Sequence, residues 1–183
     1  MKKVLIFFAD GTEEVEALTP LDYLRRAGAE VTLVGVGGEY LVGSHKITVK
    51  ADVTLDAINE NVDFDMLVIP GGMPGTNNIE ASEKAQALIT RAEKEHKFIG
   101  AICAAPKILG ARGILNGKAA TCYPGFEKFL FGAKISNEKA VKDGSVITAT
   151  GAGAANEFAL GLISALYGDD ASDKIGSSVR FII

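Results

Sequence analysis

Three stretches of this chain are apolar at every position rather than at every second one: Val4–Ala9, the "MLVIP" of "DMLVIPGG", and Phe98–Ile102. A strand with one wet face alternates, whereas a run without alternation needs cover on both faces. A mainly parallel sheet wrapped by helices gives several short strands that cover at once. Each run also ends abruptly, at "DGTEE", "GGMPG" and "CAAP". In an open α/β sheet the turns after the strands gather along one edge, where sites form. The turns expected there are 10–16, 70–75, Cys103 and 151–153.

The segments between the runs supply the helices. In "TEEVEALTPLDYLRRAG", Val15, Leu18, Leu21 and Leu24 recur at helical spacing and Gly28 marks a stop. Pro20 should kink or divide that helix. Ser82 is placed to cap a helix that carries Ala85, Leu88, Ile89 and Ala92 on one face. Residues 104–109 read as a short helix, and a longer one uses Phe158, Leu162, Ile163 and Leu166 before Gly168. "EVTLVGVGG" and "KAATCYP" read as strands, and "EYLVGSHKITVKADVTL" as a hairpin or short strand pair. "KAVKDGSVITATG" reads as a pair joined at Asp143-Gly144. The expected architecture is one α/β sandwich domain over residues 1–183.

With 183 residues, 48% of them hydrophobic, such a domain can bury a large core. The net charge of −4 and the lack of a basic stripe argue against a nucleic-acid binder. No apolar run approaches the ~20 residues of a membrane span. "MKKVLIFFADG" imitates a leader for six residues, then turns acidic with no cleavage site, and reads as the first strand. Two cysteines give no disulfide framework and fit a reducing, cytoplasmic setting.

One of them, Cys103, stands where the third run meets a helix. A thiol there meets the positive end of the peptide dipoles and free N–H groups, which favour thiolate. The N–H of Ala104 would point to the space before the sulfur, as in a nucleophile elbow. The alternative is a small core cysteine ending a strand. In "PGGMPG", Gly71 and Gly72 allow a tight turn that aims N–H groups outward, suiting an oxyanion hole, or simply a strand-to-helix turn. Glu13 and Glu14 read as first-turn dipole partners facing water. Glu16 has no clear place by pattern. No cysteine and histidine cluster has ligand spacing, so neither metal nor cofactor is expected. Cys122, inside an apolar run, should have a raised pKa and react slowly.

"DGTEEVE…PLDYLRRAG", "VIPGGMPG", "AICAAPKIL" and "GAGAANEFAL" together resemble the ThiJ/PfpI superfamily, within it the DJ-one branch, in order from residue 3 to about 168. The resemblance implies a flavodoxin-like three-layer sandwich with a nucleophile-elbow cysteine, and a homodimer. It matches the nucleophile to Cys103, the active-site glutamate to Glu16, and the glycines behind the oxyanion pocket to Gly71 and Gly72. It further implies a cofactor-free glyoxalase or deglycase-type activity on small dicarbonyls or glycated protein. A redox-sensing or chaperone role through the same oxidisable thiol is the alternative it carries.

There are departures. Tyr123 stands where close relatives place histidine, Thr150 where they often carry arginine, and His45 where a partner-chain arginine approaches the site. The other histidine, His96, lies in a charged stretch and reads as surface. Ala104 replaces the histidine of protease-like members, and Glu157 has no histidine partner of the amidotransferase kind. Those two activities are therefore not expected. In the expected chemistry Glu16, protonated, shares one proton with Cys103. Glu16→Gln is then expected to raise the thiol pKa.

Overall fold

Seven strands form the central sheet of the computed structural model, which describes residues 1–59 and 61–181; Glu60, Ile182 and Ile183 of the expected domain lie outside the described residues. The strands are β1 (Lys3–Ala9), β2 (Glu30–Val36), β3 (Tyr40–Val42), β4 (Thr48–Lys50), β5 (Val53–Thr54), β6 (Met66–Ile69), β7 (Phe98–Ile102), β8 (Ala119–Ala120), β9 (Lys134–Ile135), β10 (Ala140–Asp143) and β11 (Val146–Ala149). The helices are α1 (Glu14–Arg26), α2 (Gly75–Ala81), α3 (Glu83–Lys94), α4 (Pro106–Ala111), α5 (Ala155–Tyr167) and α6 (Asp169–Ser178).

Across the main sheet the order is β10-β11-β7-β6-β1-β2-β5, and every neighbouring pair is parallel except β10 with β11. The stretch β2-β1-β6-β7-β11 is the 2-1-3-4-5 order of flavodoxin-like sheets. The chain reverses its direction of growth between β1 and β6, opening a crevice at their carboxyl ends.

The unbroken apolar runs are explained by two cores. On β1, Leu5, Phe7 and Ala9 join Leu67, Ile69, Leu88, Ile89 and Ile108 beneath α2, α3 and α4. Val4, Ile6 and Phe8 join Val68, Phe158, Leu162 and Ile163 beneath α1, α5 and α6. Three layers result, with the sheet in the middle. Ser82 caps α3 through Ala85 N–H (3.3 Å), and Gly168, at φ 88°, ends α5, both as expected.

Other elements differ from expectation. Helix α1 runs through Pro20 undivided, because proline removes only the bond to the Glu16 carbonyl and its ring is buried. The expected core face of α1 holds only in part: Leu24 is buried and Leu21 packs against the core, but Val15 is 47% exposed, and Glu14, Glu16, Ala17, Pro20 and Tyr23 are buried with Leu24. The helix turns that way because small side chains let it pack on α5, where Tyr23 Oη donates to Asn156 Oδ1 at 2.8 Å. "KAATCYP" makes only two strand residues, paired with β9, after which Cys122 and Tyr123 lie in a turn. The hairpin β3–β4 forms a separate two-stranded sheet, while β5 joins the main one.

Candidate active site

Three chain turns meet at the carboxyl edge of the sheet. The turn after β1 carries Glu13 and leads into the first turn of α1 with Glu14 and Glu16, the turn after β6 carries Gly71 and Gly72, and β7 ends at Cys103. Cys103 has φ +64°, a left-handed backbone that L residues avoid at a cost of about 1–2 kcal/mol. It is held there by its N–H bond to the Ala149 carbonyl (2.9 Å) and by the Tyr123 N–H bond to its own carbonyl (2.8 Å). That elbow lifts the thiol out of the strand line toward Glu16.

Glu16 is 1% exposed. Its Oε2 accepts the Gly71 N–H at 2.9 Å, it also accepts from Ala152 N–H, and its carboxyl bonds the Cys103 thiol. Burial, with the nearby charge of Glu13, pushes the Glu16 carboxyl up to about 7 against those bonds. The N–H groups of Gly72 and Ala104 both point at the sulfur. Gly71 is not free to do so, since its amide is engaged by Glu16. Its Cα faces the centre of the site, and a methyl there would lie 2.6 Å from both Cys103 Cβ and Glu16 Oε2. Gly72 has φ +86° and its Cα abuts the main chain of residues 11–13, so the two turns lock together.

The expectation of an acidic Cys103 fails. Burial, and then the charge of Glu16, push the thiol up to about 12, against the two N–H bonds. Helix α4 starts only at Pro106 and has six residues, so the sulfur sits ahead of a weak dipole. The expected change on Glu16→Gln reverses as well: removing the carboxylate charge lowers the thiol pKa. Cys122 follows expectation, buried and pushed up to about 11 by burial and Glu127.

Glu13 and Glu14 do not face water as expected. Glu13 caps α1, its Oε2 accepting Glu16 N–H at 2.8 Å, and so holds the catalytic-type glutamate's backbone. Glu14 is 2% exposed and accepts from His45 N–H (2.9 Å), Ser44 Oγ (3.3 Å) and Ile47 N–H (3.4 Å), tying the hairpin to α1. His45 Nδ1 lies 3.1 Å from Glu14 Oε2 and 3.6 Å from Glu13 Oε1 of its own chain. No periodic pattern marks either glutamate, though a cap three residues before Glu16 has the right spacing. Thr150 is tied by its N–H to the Lys139 carbonyl (2.9 Å), and Tyr123 lies at the rim, beside Gly151. His96 is exposed, as expected.

A buried carboxyl bonded to an elbow thiol, facing two main-chain donors, has the parts that a nucleophile, a proton carrier and an oxyanion hole require. A family model described as DJ-1/PfpI family matches residues 2–165. The chain belongs to the DJ-1/PfpI family. Relatives of this DJ-1/PfpI protein include DJ-1 homolog A of Arabidopsis thaliana, 37% identical over 96% of this chain; the chain spans only 46% of that protein's length. A protein named deglycase from Pyrococcus horikoshii is 32% identical over 80% of this chain and 88% of its own. Among solved structures, oxidised DJ-1 of Toxoplasma gondii superposes with a TM-score of 0.95, at 35% identity and full coverage of both chains.

Proposed function

We propose that this DJ-1/PfpI protein is a cofactor-independent glyoxalase or deglycase-type enzyme for small dicarbonyls or their protein adducts. The observation that carries it is the Glu16 carboxyl, raised to about 7 and bonded to Cys103 opposite the N–H groups of Gly72 and Ala104. The deglycase name of the Pyrococcus relative supports the same reading.

The thiol and Glu16 hold one proton between them above pH 7. With that proton on Glu16, the sulfur attacks the aldehyde carbon of an α-oxoaldehyde. The new oxyanion is received by the N–H groups of Gly72 and Ala104 and takes the proton, giving a hemithioacetal. Glu16, now ionised, takes the hydrogen of that carbon as a proton and returns it to the neighbouring carbon, while the hydroxyl proton passes to the former ketone oxygen, which leaves a 2-hydroxy thioester. Water cleaves the thioester, releasing lactate from methylglyoxal or glycolate from glyoxal and restoring the thiol. The two thiols are unpaired, which suits the reducing cytoplasm where we place the reaction. No helix of the described residues is long and apolar enough to cross a membrane.

Purified protein incubated with methylglyoxal is expected to form lactate, with protein alkylated at Cys103 as the blank. No lactate, together with stoichiometric oxidation of Cys103 by dilute peroxide, would overturn the enzyme in favour of a redox sensor or redox-regulated chaperone. We further read the apolar strip of Val15, Leu18 and Ile47, between α1 and the β3–β4 hairpin, as the place where a second copy docks. Light scattering at micromolar concentration should then report twice the 19.2 kDa of one chain. A species of 19.2 kDa alone would contradict the homodimer.

A further inference from the structure

Tyr123 has no task in the chemistry above, yet it stands at the rim. Its backbone is fixed beside the nucleophile by the bond to the Cys103 carbonyl (2.8 Å). Its ring lies along the Gly151 turn. A methyl group on Gly151 would sit 3.3 Å from Tyr123 Cδ2 and 3.7 Å from Glu16 Oε1, so the ring and the proton-carrying carboxyl flank the same point. Behind it the ring is braced edge-on by Phe126, with centroids 6.5 Å apart, and Phe126 in turn by Phe129 at 5.8 Å. Tyr123 is nevertheless 51% exposed, and its hydroxyl bonds nothing among the described residues. A braced, half-open ring without a polar partner offers flat apolar surface to whatever approaches the sulfur.

The charges around it point the same way. Glu16 contacts the thiol and Glu13 caps the helix turn that carries it, while the Glu14 carboxyl is turned to the hairpin. On neighbouring elements Lys139 is paired with Glu157 at 2.6 Å and Lys107 with Glu80 at 2.7 Å, while Lys128 lies over the Phe129 ring at 5.1 Å. A substrate carboxylate beside the sulfur would meet Glu16 and, behind it, Glu13, the charged groups that act on this pair.

We propose that Tyr123 is a specificity-determining residue, and that the site selects uncharged carbonyl compounds bearing a planar apolar group, such as an aryl ring, over those bearing a carboxylate. The ring of the substrate lies on Tyr123 while its carbonyl carbon meets Cys103. This rests on reading Cys103 as the attacking nucleophile, and its test is built to separate the two.

Alkylation of Cys103, located by peptide mapping, reads the rim without any turnover. Rates with 2-bromoacetophenone and bromoacetone, and with iodoacetamide and iodoacetate, are each divided by the rate with a free thiol. The normalised aryl-to-methyl ratio is expected to fall about tenfold in Tyr123→Ala, the scale of one aromatic contact. Tyr123→Phe, which keeps the ring, should restore it. Tyr123→Arg should shift the iodoacetate-to-iodoacetamide ratio about tenfold toward the anion. Equal ratios in wild type and Tyr123→Ala would overturn the proposal, even if methylglyoxal were turned over normally. The ring-dependent ratio without any dicarbonyl turnover would support Tyr123 and sink the enzymatic reading instead. In an active protein, the kcat/KM ratio of phenylglyoxal to methylglyoxal must follow the alkylation ratio across the three variants, and a flat ratio would overturn the proposal.

Discussion

Glu16→Gln is expected to lower dicarbonyl turnover by roughly 10²–10⁴-fold, the scale of losing general acid–base catalysis, while making the protein harder to unfold at neutral pH. The loss of turnover follows because an amide cannot carry the proton between the two substrate carbons. The gain in stability follows from the burial that pushes Glu16 up from 4.5 to about 7. Below pH 4.5 the carboxyl is protonated in both the folded and the unfolded chain and contributes no pH dependence. Between 4.5 and about 7 the unfolded chain releases the proton first, so stability falls as pH rises. At pH 8 the folded protein is left with a buried carboxylate, at a cost of about 3 kcal/mol from the size of that shift. The neutral glutamine avoids it. Thermal melts of wild type and Glu16→Gln should therefore separate more at pH 8 than at pH 4, with the variant melting higher. Wild-type turnover should rise with pH through about 7, as the pair loses its first proton. Melting curves that differ equally at both pH values would remove the buried proton from the account.

Gly71→Ala should damage both the fold and the chemistry. The added methyl would lie 2.6 Å from Cys103 Cβ, 2.6 Å from Glu16 Oε2 and 2.9 Å from the Ile102 carbonyl oxygen. Two of those neighbours are the proposed reacting pair, and the third is strand backbone, so nothing flexible can step aside. Overpacking of this kind costs about 1–3 kcal/mol, read as a fall of about 2–4 °C in Tm per kcal/mol in a chain of this size. The methyl also enters the space where sulfur and carboxyl meet, so turnover should drop at least 100-fold, by the sensitivity of reactions to small misplacement. Gly161→Ala on α5 is the control, its new methyl making an ordinary 3.5 Å contact with Ile147. It should leave turnover unchanged and Tm equal or higher, since alanine favours helix. A Gly71→Ala protein with wild-type Tm and turnover would mean the two turns do not press together as described.

The sheet was legible in the sequence because β1, β6 and β7 are buried on both faces, and that demand leaves a run no polar residue can interrupt. Helices with one broad apolar face, such as α3 and α5, were equally plain. Helix α1 was legible as a helix but not in its buried face, because counting apolar residues places glutamates outward, while here Glu14 and Glu16 are turned in by hydrogen-bond donors from other segments. Those donors, Gly71, Ala152, His45 and Ile47, are distant in the chain, so no local pattern announces them. Helices α2 and α6 escaped notice because each buries a single large side chain, Ile79 or Ile175, which sets no period. Cys103 was visible as a residue at a junction, but its pKa was not, since that depends on a carboxylate brought from another strand end. Glu16 drew its role from resemblance alone, and burial now supplies a physical reason for it.

Two of the groups that face the sulfur, the N–H of Gly72 and the N–H of Ala104, belong to the main chain. Every residue except proline carries that donor, so the identity of the side chain at 104 says nothing about whether it is present. Mutational surveys that truncate side chains one at a time are blind to such a group. They would miss position 104 although its N–H is half of the oxyanion hole proposed above. Only a change in the backbone itself, an ester in place of the amide, would reveal it. The position's importance is thus stored in chain path, which is set by the elbow at Cys103 and the turn at Gly72, and any side chain that the buried space at 104 admits leaves the donor in place.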